Sequence, residues 1–159
     1  MSVRVKVCGI TRCEDAMSAV KAGVDAIGFV FWPQSSRYIN TDSAYSIACR
    51  IPSFVTVVGV YVHPDVSWVE QTIKTVKLNL LQFHGNESPE FCAQFSVPYI
   101  KAIRIKEDTD LLQYAQQYKT AKGLLVDTYT PGIPGGTGHT FDWNLIPQQL
   151  PLPLILSGG

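Results

Sequence analysis

The 159-residue chain carries thirteen basic and thirteen acidic side chains, and 46% of its residues are apolar against 16% charged. This composition predicts a globular protein and excludes a disordered one, and the balanced charge provides no global field for nucleic acid or an anionic membrane. The longest apolar stretch, Phe54 to Val62, is far shorter than the ~18 residues of a membrane-spanning helix. The N-terminus interleaves charges with valines, unlike a signal peptide. We therefore expect a cytoplasmic protein without nucleic-acid or membrane partners.

Short apolar runs recur along the chain with a start-to-start spacing of roughly 25 residues, which suits one strand, one helix and two loops. Strands that alternate with helical patterns predict a parallel sheet, and several runs are apolar on both faces, as in strands covered on both sides. The predicted strands are Val3 to Val7, Ala26 to Phe31, Phe54 to Val60, Leu78 to Phe83, Tyr99 to Ile103, Leu124 to Val126 and Leu154 to Leu156.

The segments between these runs carry helix signals. Thr11-Arg12-Cys13-Glu14 predicts a capping box, and Ser88-Pro89 predicts an N-cap followed by proline at the first helical position. Asp65 to Val76 and Asp108 to Tyr118 show the same pattern. Because nothing in the composition marks a linker, we expect one domain over residues 1–159.

Two architectures fit this alternation: a closed (βα)8 TIM barrel and an open doubly wound sheet. The segment Cys8-Gly9-Ile10-Thr11 after the first strand is not the glycine fingerprint of a dinucleotide-binding sheet. Candidate site residues also follow nearly every strand, whereas an open sheet gathers them at one switch point. The sequence therefore favours an α/β fold of the TIM-barrel type, with parallel strands.

Reactive or phosphate-binding residues follow the C-terminal ends of the predicted strands. In a barrel the loops after the strands open on one face, so an active site is expected there. These residues are Cys8, Arg37, His84, Arg104, Asp127, Gly158 and Gly159.

The four cysteines have a spacing that fits neither a zinc site nor a disulfide framework. Three of them lie in predicted helical segments, where a free thiol packs as a small hydrophobe, whereas Cys8 ends a strand beside Gly9. From the residues alone, Cys8 is either a core thiol or a reactive group. In the same way, Asp127 is either a loop residue bonded to its own backbone or a catalytic carboxyl group.

Seven ordered pieces of the chain together resemble the phosphoribosylanthranilate isomerase family of tryptophan biosynthesis. They are Lys6-Val7-Cys8-Gly9-Ile10-Thr11, Gly28-Phe29-Val30-Phe31 with Ser35-Ser36-Arg37-Tyr38-Ile39, Val58-Gly59-Val60, Leu81-Gln82-Phe83-His84-Gly85, Val126-Asp127-Thr128, Gly135-Gly136-Thr137-Gly138 with Phe141-Asp142-Trp143, and Leu156-Ser157-Gly158-Gly159. The resemblance covers the whole chain.

The resemblance implies an Amadori rearrangement by general acid-base catalysis, without metal or organic cofactor. The family places its cysteine after strand 1 and its aspartate after strand 6, which here are Cys8 and Asp127. Asp127 would have to hold a proton, which needs burial or a neighbouring anion, and Cys8 would have to lose one, which needs a polar or electropositive setting. Arg104 is expected to pair with Asp127 or with Glu107.

The remaining expected site residues bind substrate. The resemblance assigns Arg37 to the anthranilate carboxylate, because a guanidinium group matches a carboxylate in a bidentate way, and gives His84 a supporting contact. Gly136 belongs to a glycine-rich loop that we expect to close over the substrate. Gly158 and Gly159 are phosphate candidates, since barrel phosphate sites commonly use the loops after strands 7 and 8.

Eight units would need roughly 200 residues, so we expect the end of unit 7 and all of unit 8 to be missing from this chain, which would need a completing C-terminal segment or a homo-oligomer. Two other function classes stay open. One is a catalytically impaired barrel fragment that only binds ligand. The other is a different sugar-phosphate isomerase or lyase on the same fold, for which Lys101 is the lysine to consider as a Schiff-base residue.

Overall fold

The computed structural model describes residues 3–106, 108–128 and 146–157. The chain divides into two units, Met1–Gln82 and Phe83–Gly159. Each unit repeats a strand followed by a helix, and the strands pair in chain order. The predicted alternation of strands and helices is therefore confirmed.

The first unit contains three parallel strands, three helices and most of a fourth strand. β1 pairs with β2 through Lys6 and Ala26, and β2 pairs with β3 through Ala26 and Thr56. The elements are β1 (Lys6–Cys8), α1 (Cys13–Lys21), β2 (Ala26–Val30), α2 (Thr41–Ala48), β3 (Thr56–Tyr61), α3 (Val66–Val76) and β4 (Leu80–Phe83), whose last residue belongs to the second unit.

The second unit continues the same pattern. β5 and β6 are parallel over five residue pairs, from Lys101 and Leu124 to Ile105 and Thr128, and β6 is parallel to β7. The elements are α4 (Pro89–Ala93), β5 (Tyr99–Ile105), α5 (Leu111–Gln117), β6 (Leu124–Thr128) and β7 (Leu154–Leu156). Parallel strands confirm the α/β class predicted from the sequence.

Most strand boundaries differ from the prediction by one to three residues because pairing, and not hydrophobicity, decides where a strand begins and ends. β4 starts at Leu80 and not at Leu78, and β5 and β6 continue to Ile105 and Thr128, so Arg104 and Asp127 lie within strands and not after them. β1 starts at Lys6, since the N–H of Val5 donates to the Asp25 carboxylate at 2.8 Å and takes no part in the ladder. β3 starts at Thr56, and Phe54 is fully exposed in the loop before it.

The helix starts follow the predicted caps in part. The predicted N-cap Ser88 is confirmed, since its side chain accepts the N–H of Phe91, and Pro89 begins α4. The predicted capping box at Thr11 is wrong. The N-cap of α1 is Arg12, whose extended backbone begins the helix without a side-chain hydrogen bond. Glu14 instead lies 3.6 Å from the exposed Arg12 side chain.

The core lies between the strands and their helices, and aromatic clusters fix the ends of the strands. In the second unit the ring of Phe83 packs against Phe91, Phe95 and Tyr99 at centroid distances of 5.7, 5.7 and 6.0 Å. This packing holds α4 against β5 and fixes the end of β4, where the chain continues into His84.

In the part of the chain that the structure describes, no helix has both the length and the apolar character needed to cross a membrane.

Candidate active site

Cys8 is the last residue of β1, and the chain turns directly after it. Gly9 has a φ of 81°, a left-handed conformation that favours glycine. The backbone N–H groups of Gly9 and Ile10 both donate to the carbonyl oxygen of Gly28, at 2.9 and 3.0 Å. β2 therefore determines where the chain leaves β1, and with it the position of Cys8.

Arg37 lies in the loop after β2 and reaches back to the backbone of Cys8. Its Nη1 donates to the Cys8 carbonyl oxygen at 2.9 Å, across 29 residues of sequence. A Cβ on Gly9 would lie 2.5 Å from Arg37 Cδ, so a side chain at position 9 would displace the arginine. Arg37 and Cys8, which the sequence predicted separately, are therefore in contact. This hydrogen bond occupies one of the five N–H donors of the guanidinium group.

Lys6 and the Cys8 thiol are both neighbours of Gly28, and the sequence did not identify Lys6 as a site residue. A Cβ on Gly28 would lie 3.0 Å from Cys8 Sγ and 3.4 Å from Lys6 Nζ, so both side chains lie next to that glycine. Strand alternation could have identified Lys6 from the sequence, because Lys6 and Cys8 are two residues apart and face the same side of the strand.

In the second unit, His84 and Asp127 are in contact at the ends of β4 and β6. His84 Nε2 lies 3.1 Å from Asp127 Oδ2, and the two side chains are 11% and 3% exposed. The other carboxyl oxygen of Asp127, Oδ1, accepts the backbone N–H of Thr128 at 2.9 Å. A carboxyl group buried beside an imidazole is suited to acid-base chemistry.

The expected pairing of Arg104 with Asp127 is not formed between these described residues. The two are register partners in β5 and β6, but both carboxyl oxygens of Asp127 are engaged by His84 and by the Thr128 N–H. The other expected partner, Glu107, lies outside the described residues. Arg104 lines a polar cavity of about 260 Å³ together with Lys106 and Asp110.

A buried ion pair adjoins His84, and sequence reasoning missed it. Lys101 Nζ lies 3.3 Å from Glu87 Oε2, and the two residues are 2% and 6% exposed. Burial lowers the pKa of Lys101, while the neighbouring Glu87 opposes that shift. Burial also raises the pKa of the nearby Cys92 thiol to about 12. The sequence feature that could have revealed the pair is the single lysine inside an apolar strand, because a buried lysine needs a partner of opposite charge.

A larger cavity of about 470 Å³ lies at the opposite ends of the first unit's strands. It is lined by residues around the end of α2 and the starts of β3 and β4, among them Tyr45, Cys49, Val57 and Asn79. In barrel enzymes the amino ends of the strands support stability and the carboxyl ends carry the chemistry. We therefore assign no catalytic role to this cavity.

Three expected substrate ligands, Gly136, Gly158 and Gly159, lie outside the described residues. The glycine-rich segment that contains Gly136 lies outside them as well.

Parallel strands alternating with helices, with a thiol, a carboxyl group, an imidazole and a guanidinium group at or just after the carboxyl ends of four of them, define a TIM-barrel enzyme. Residues 5–159 match the family model described as N-(5'phosphoribosyl)anthranilate (PRA) isomerase. The chain belongs to the phosphoribosylanthranilate isomerase family.

Individual relatives agree with this assignment. The N-(5'-phosphoribosyl)anthranilate isomerase of Nitrosomonas europaea is 64% identical over the whole chain, which covers 75% of that relative. The isomerase of Nitrosospira multiformis is 65% identical, again over the whole chain and 76% of the relative.

Solved structures give the same fold. The phosphoribosyl anthranilate isomerase of Thermotoga maritima has a TM-score of 0.88 at 42% identity, covering 99% of this chain and 78% of that one. A second structure, of an isomerase in complex with reduced 1-(o-carboxyphenylamino)-1-deoxyribulose 5-phosphate, has a TM-score of 0.81 at 35% identity, covering 99% and 76%.

Proposed function

We propose that this chain converts N-(5'-phosphoribosyl)anthranilate to 1-(2-carboxyphenylamino)-1-deoxyribulose 5-phosphate, an isomerisation of tryptophan biosynthesis. The observation that carries the proposal is the family match over residues 5–159, in which Cys8 ends β1 and Asp127 lies in the last two residues of β6. This activity requires one acid and one base at different atoms of the sugar.

In the proposed mechanism Asp127 is the acid and Cys8 is the base. Asp127 gives its proton to the furanose ring oxygen as the C1–O bond breaks, leaving an iminium group at C1 and a free hydroxyl. The Cys8 thiolate then removes the C2 proton, and the electrons of that C–H bond form the C1=C2 bond of a neutral enol-amine. Loss of the C2 hydroxyl proton and protonation at C1 give the ketone product.

The local geometry of each unit supports these roles. Asp127 is 2% exposed, and its Oδ2 lies 3.1 Å from His84 Nε2, so the carboxyl group is held in one orientation. Cys8 ends β1, and its position is fixed by the hydrogen bonds that the N–H groups of Gly9 and Ile10 donate to the Gly28 carbonyl oxygen. We propose that residues 1–159 act as one domain in which both groups serve the same substrate.

The test is a fluorescence assay with freshly prepared phosphoribosylanthranilate. We expect the anthranilate fluorescence to change at a rate proportional to the protein concentration. A folded protein that binds the product analogue without this turnover would favour the alternative of a ligand-binding fragment.

Schiff-base chemistry at Lys101, the basis of the lyase alternative, does not fit the site. Lys101 Nζ donates to the carbonyl oxygens of Phe83, Gly85 and Ala102 and lies beside Glu87. An amine committed to these acceptors at 2% exposure is not available to attack a substrate carbonyl.

Arg37 should act on binding. Both Arg37→Ala and Arg37→Lys should weaken binding of the reduced product analogue by about 2 kcal/mol, roughly 30-fold in Kd, since lysine cannot restore a bidentate contact with a carboxylate. Isothermal titration calorimetry measures this. The matched control is Arg50→Ala, because Arg50 is an exposed arginine just after α2 and is not a proposed site residue. An unchanged Kd in both Arg37 variants would place the anthranilate carboxylate elsewhere.

Turnover should not depend on a metal ion, because side chains supply both the acid and the base. Among the described residues, no group of three His, Cys, Asp or Glu side chains is placed to hold one. We expect kcat to be unchanged after dialysis against EDTA. Activity lost on chelation and restored by added metal would contradict the mechanism.

We also propose a partner and a cellular location for this activity. The protein's partner is the small-molecule substrate, whose phosphate is assigned to Gly158 and Gly159, with Gly136 as a further substrate-binding residue. The reaction takes place in the cytoplasm. A homo-oligomer is compatible with this assignment.

A further inference from the structure

Glu87 and Lys101 form an ion pair that is buried in the second unit and has no part in the proposed mechanism. Removing two charges from water is costly, and apolar residues of similar volume often stabilise a core at least as well. A gain in stability therefore does not explain why this buried pair is present. Its hydrogen-bond partners indicate a different role.

Both members of the pair bind the backbone around His84. The N–H of Gly85 donates to the two carboxylate oxygens of Glu87, at 3.2 and 3.0 Å. Lys101 Nζ donates to the carbonyl oxygens of Phe83 at 3.2 Å and of Gly85 at 2.6 Å. The Phe83 carbonyl belongs to the peptide group before His84, and the Gly85 N–H belongs to the peptide group after it. The pair thus fixes the two peptide planes that set the backbone angles of His84.

The position of His84 determines one of the contacts of Asp127. His84 Nε2 lies 3.1 Å from Asp127 Oδ2, while Oδ1 is bonded to the N–H of Thr128 in the aspartate's own strand. A shift of the His84 backbone would move the ring away from Oδ2 and leave Oδ1 unaffected. The carboxyl group would then lose the contact that orients it across the strand ends.

We propose that Glu87 and Lys101 are positioning residues that orient the Asp127 carboxyl group through the backbone of His84. This inference rests on the proposed function, in which Asp127 is the acid. It assigns the pair a catalytic consequence without any contact to substrate.

The first experiment measures steady-state kinetics of Glu87→Gln and of the double variant Glu87→Gln with Lys101→Met. The double variant removes both charges together, so it stays informative if a single change prevents folding. We expect kcat to fall about tenfold or more, since small displacements of catalytic groups have effects of that size, with KM and analogue Kd within about twofold. A wild-type kcat in both folded variants would overturn the proposal.

A mutant cycle separates positioning from general loss of structure. In an Asp127→Asn background, Glu87→Gln should lower kcat by less than about twofold, because the group it positions no longer donates a proton. An equal fractional loss in both backgrounds would mean that the pair does not act through Asp127. The matched control is Tyr99→Phe, which removes a 2.7 Å hydrogen bond between the first residue of β5 and Thr120 and should leave kcat unchanged.

A readout without turnover distinguishes failure of this inference from failure of the proposed function. In NMR spectra, Glu87→Gln should shift the Gly85 amide and the His84 ring signals, whereas Tyr99→Phe should not. Unmoved signals would overturn the positioning role. If these signals move while Asp127→Asn keeps full turnover, Asp127 is not the acid. The positioning proposal is then overturned as well, because orienting the Asp127 carboxyl group would not serve catalysis.

Discussion

Cys8→Ser should lower kcat by about 10²-fold or more, while the reduced product analogue still binds. A serine hydroxyl holds its proton far more tightly than a thiol, so the variant has almost none of the basic form that removes the C2 proton. The substitution also fits the site, since oxygen is smaller than the sulfur that lies 3.0 Å from a Cβ built on Gly28. Steady-state fluorescence gives kcat, and calorimetry with the analogue gives Kd.

The matched control for this variant is Cys49→Ser. Cys49 is an exposed thiol at the C-cap of α2 and contacts none of the proposed site residues. We expect its kcat to stay within about twofold of the parent. Near-parental turnover in Cys8→Ser would remove Cys8 from the mechanism.

Asp127→Asn should also lower kcat by about 10²-fold or more, because an amide has no proton of the required acidity for the ring oxygen. The change is isosteric, and the amide oxygen can still accept the Thr128 N–H that now bonds to Oδ1. Folding and analogue binding should therefore persist. Comparison of kcat with Kd separates this chemical effect from a binding defect.

Asp110→Asn is the matched control in the same unit. Asp110 caps α5 by accepting the N–H of Gln113 at 3.0 Å, and asparagine caps helices equally well. Its turnover should equal that of the parent chain. If Asp127→Asn behaves like this control, another group protonates the ring oxygen.

The sequence predicts most of the fold because strand and helix periods are local properties. The position of β6 follows from an apolar run that ends at Val126, and the N-cap Ser88 follows from the Ser-Pro pair. The ends of elements are less predictable. Val5 and Phe54 continue apolar runs, but the ladder begins only at Lys6 and at Thr56, where a partner strand is in register.

The candidate site, like the fold, could be predicted from the sequence only in part. By itself the sequence located Cys8, Arg37, His84 and Asp127 at or just past the carboxyl ends of strands, since local pattern and family resemblance point to each of them. Only the tertiary structure decided that Arg37 binds the carbonyl of Cys8, and that His84 contacts Asp127.

The buried pair was likewise decided by tertiary structure. Glu87 lies in a loop and Lys101 in the middle of β5, and no spacing rule joins them. They meet because the chain reverses through α4, which brings the loop after β4 next to β5 within the second unit. Contacts between residues far apart in sequence depend on strand register and on close packing, and neither is encoded in a local period.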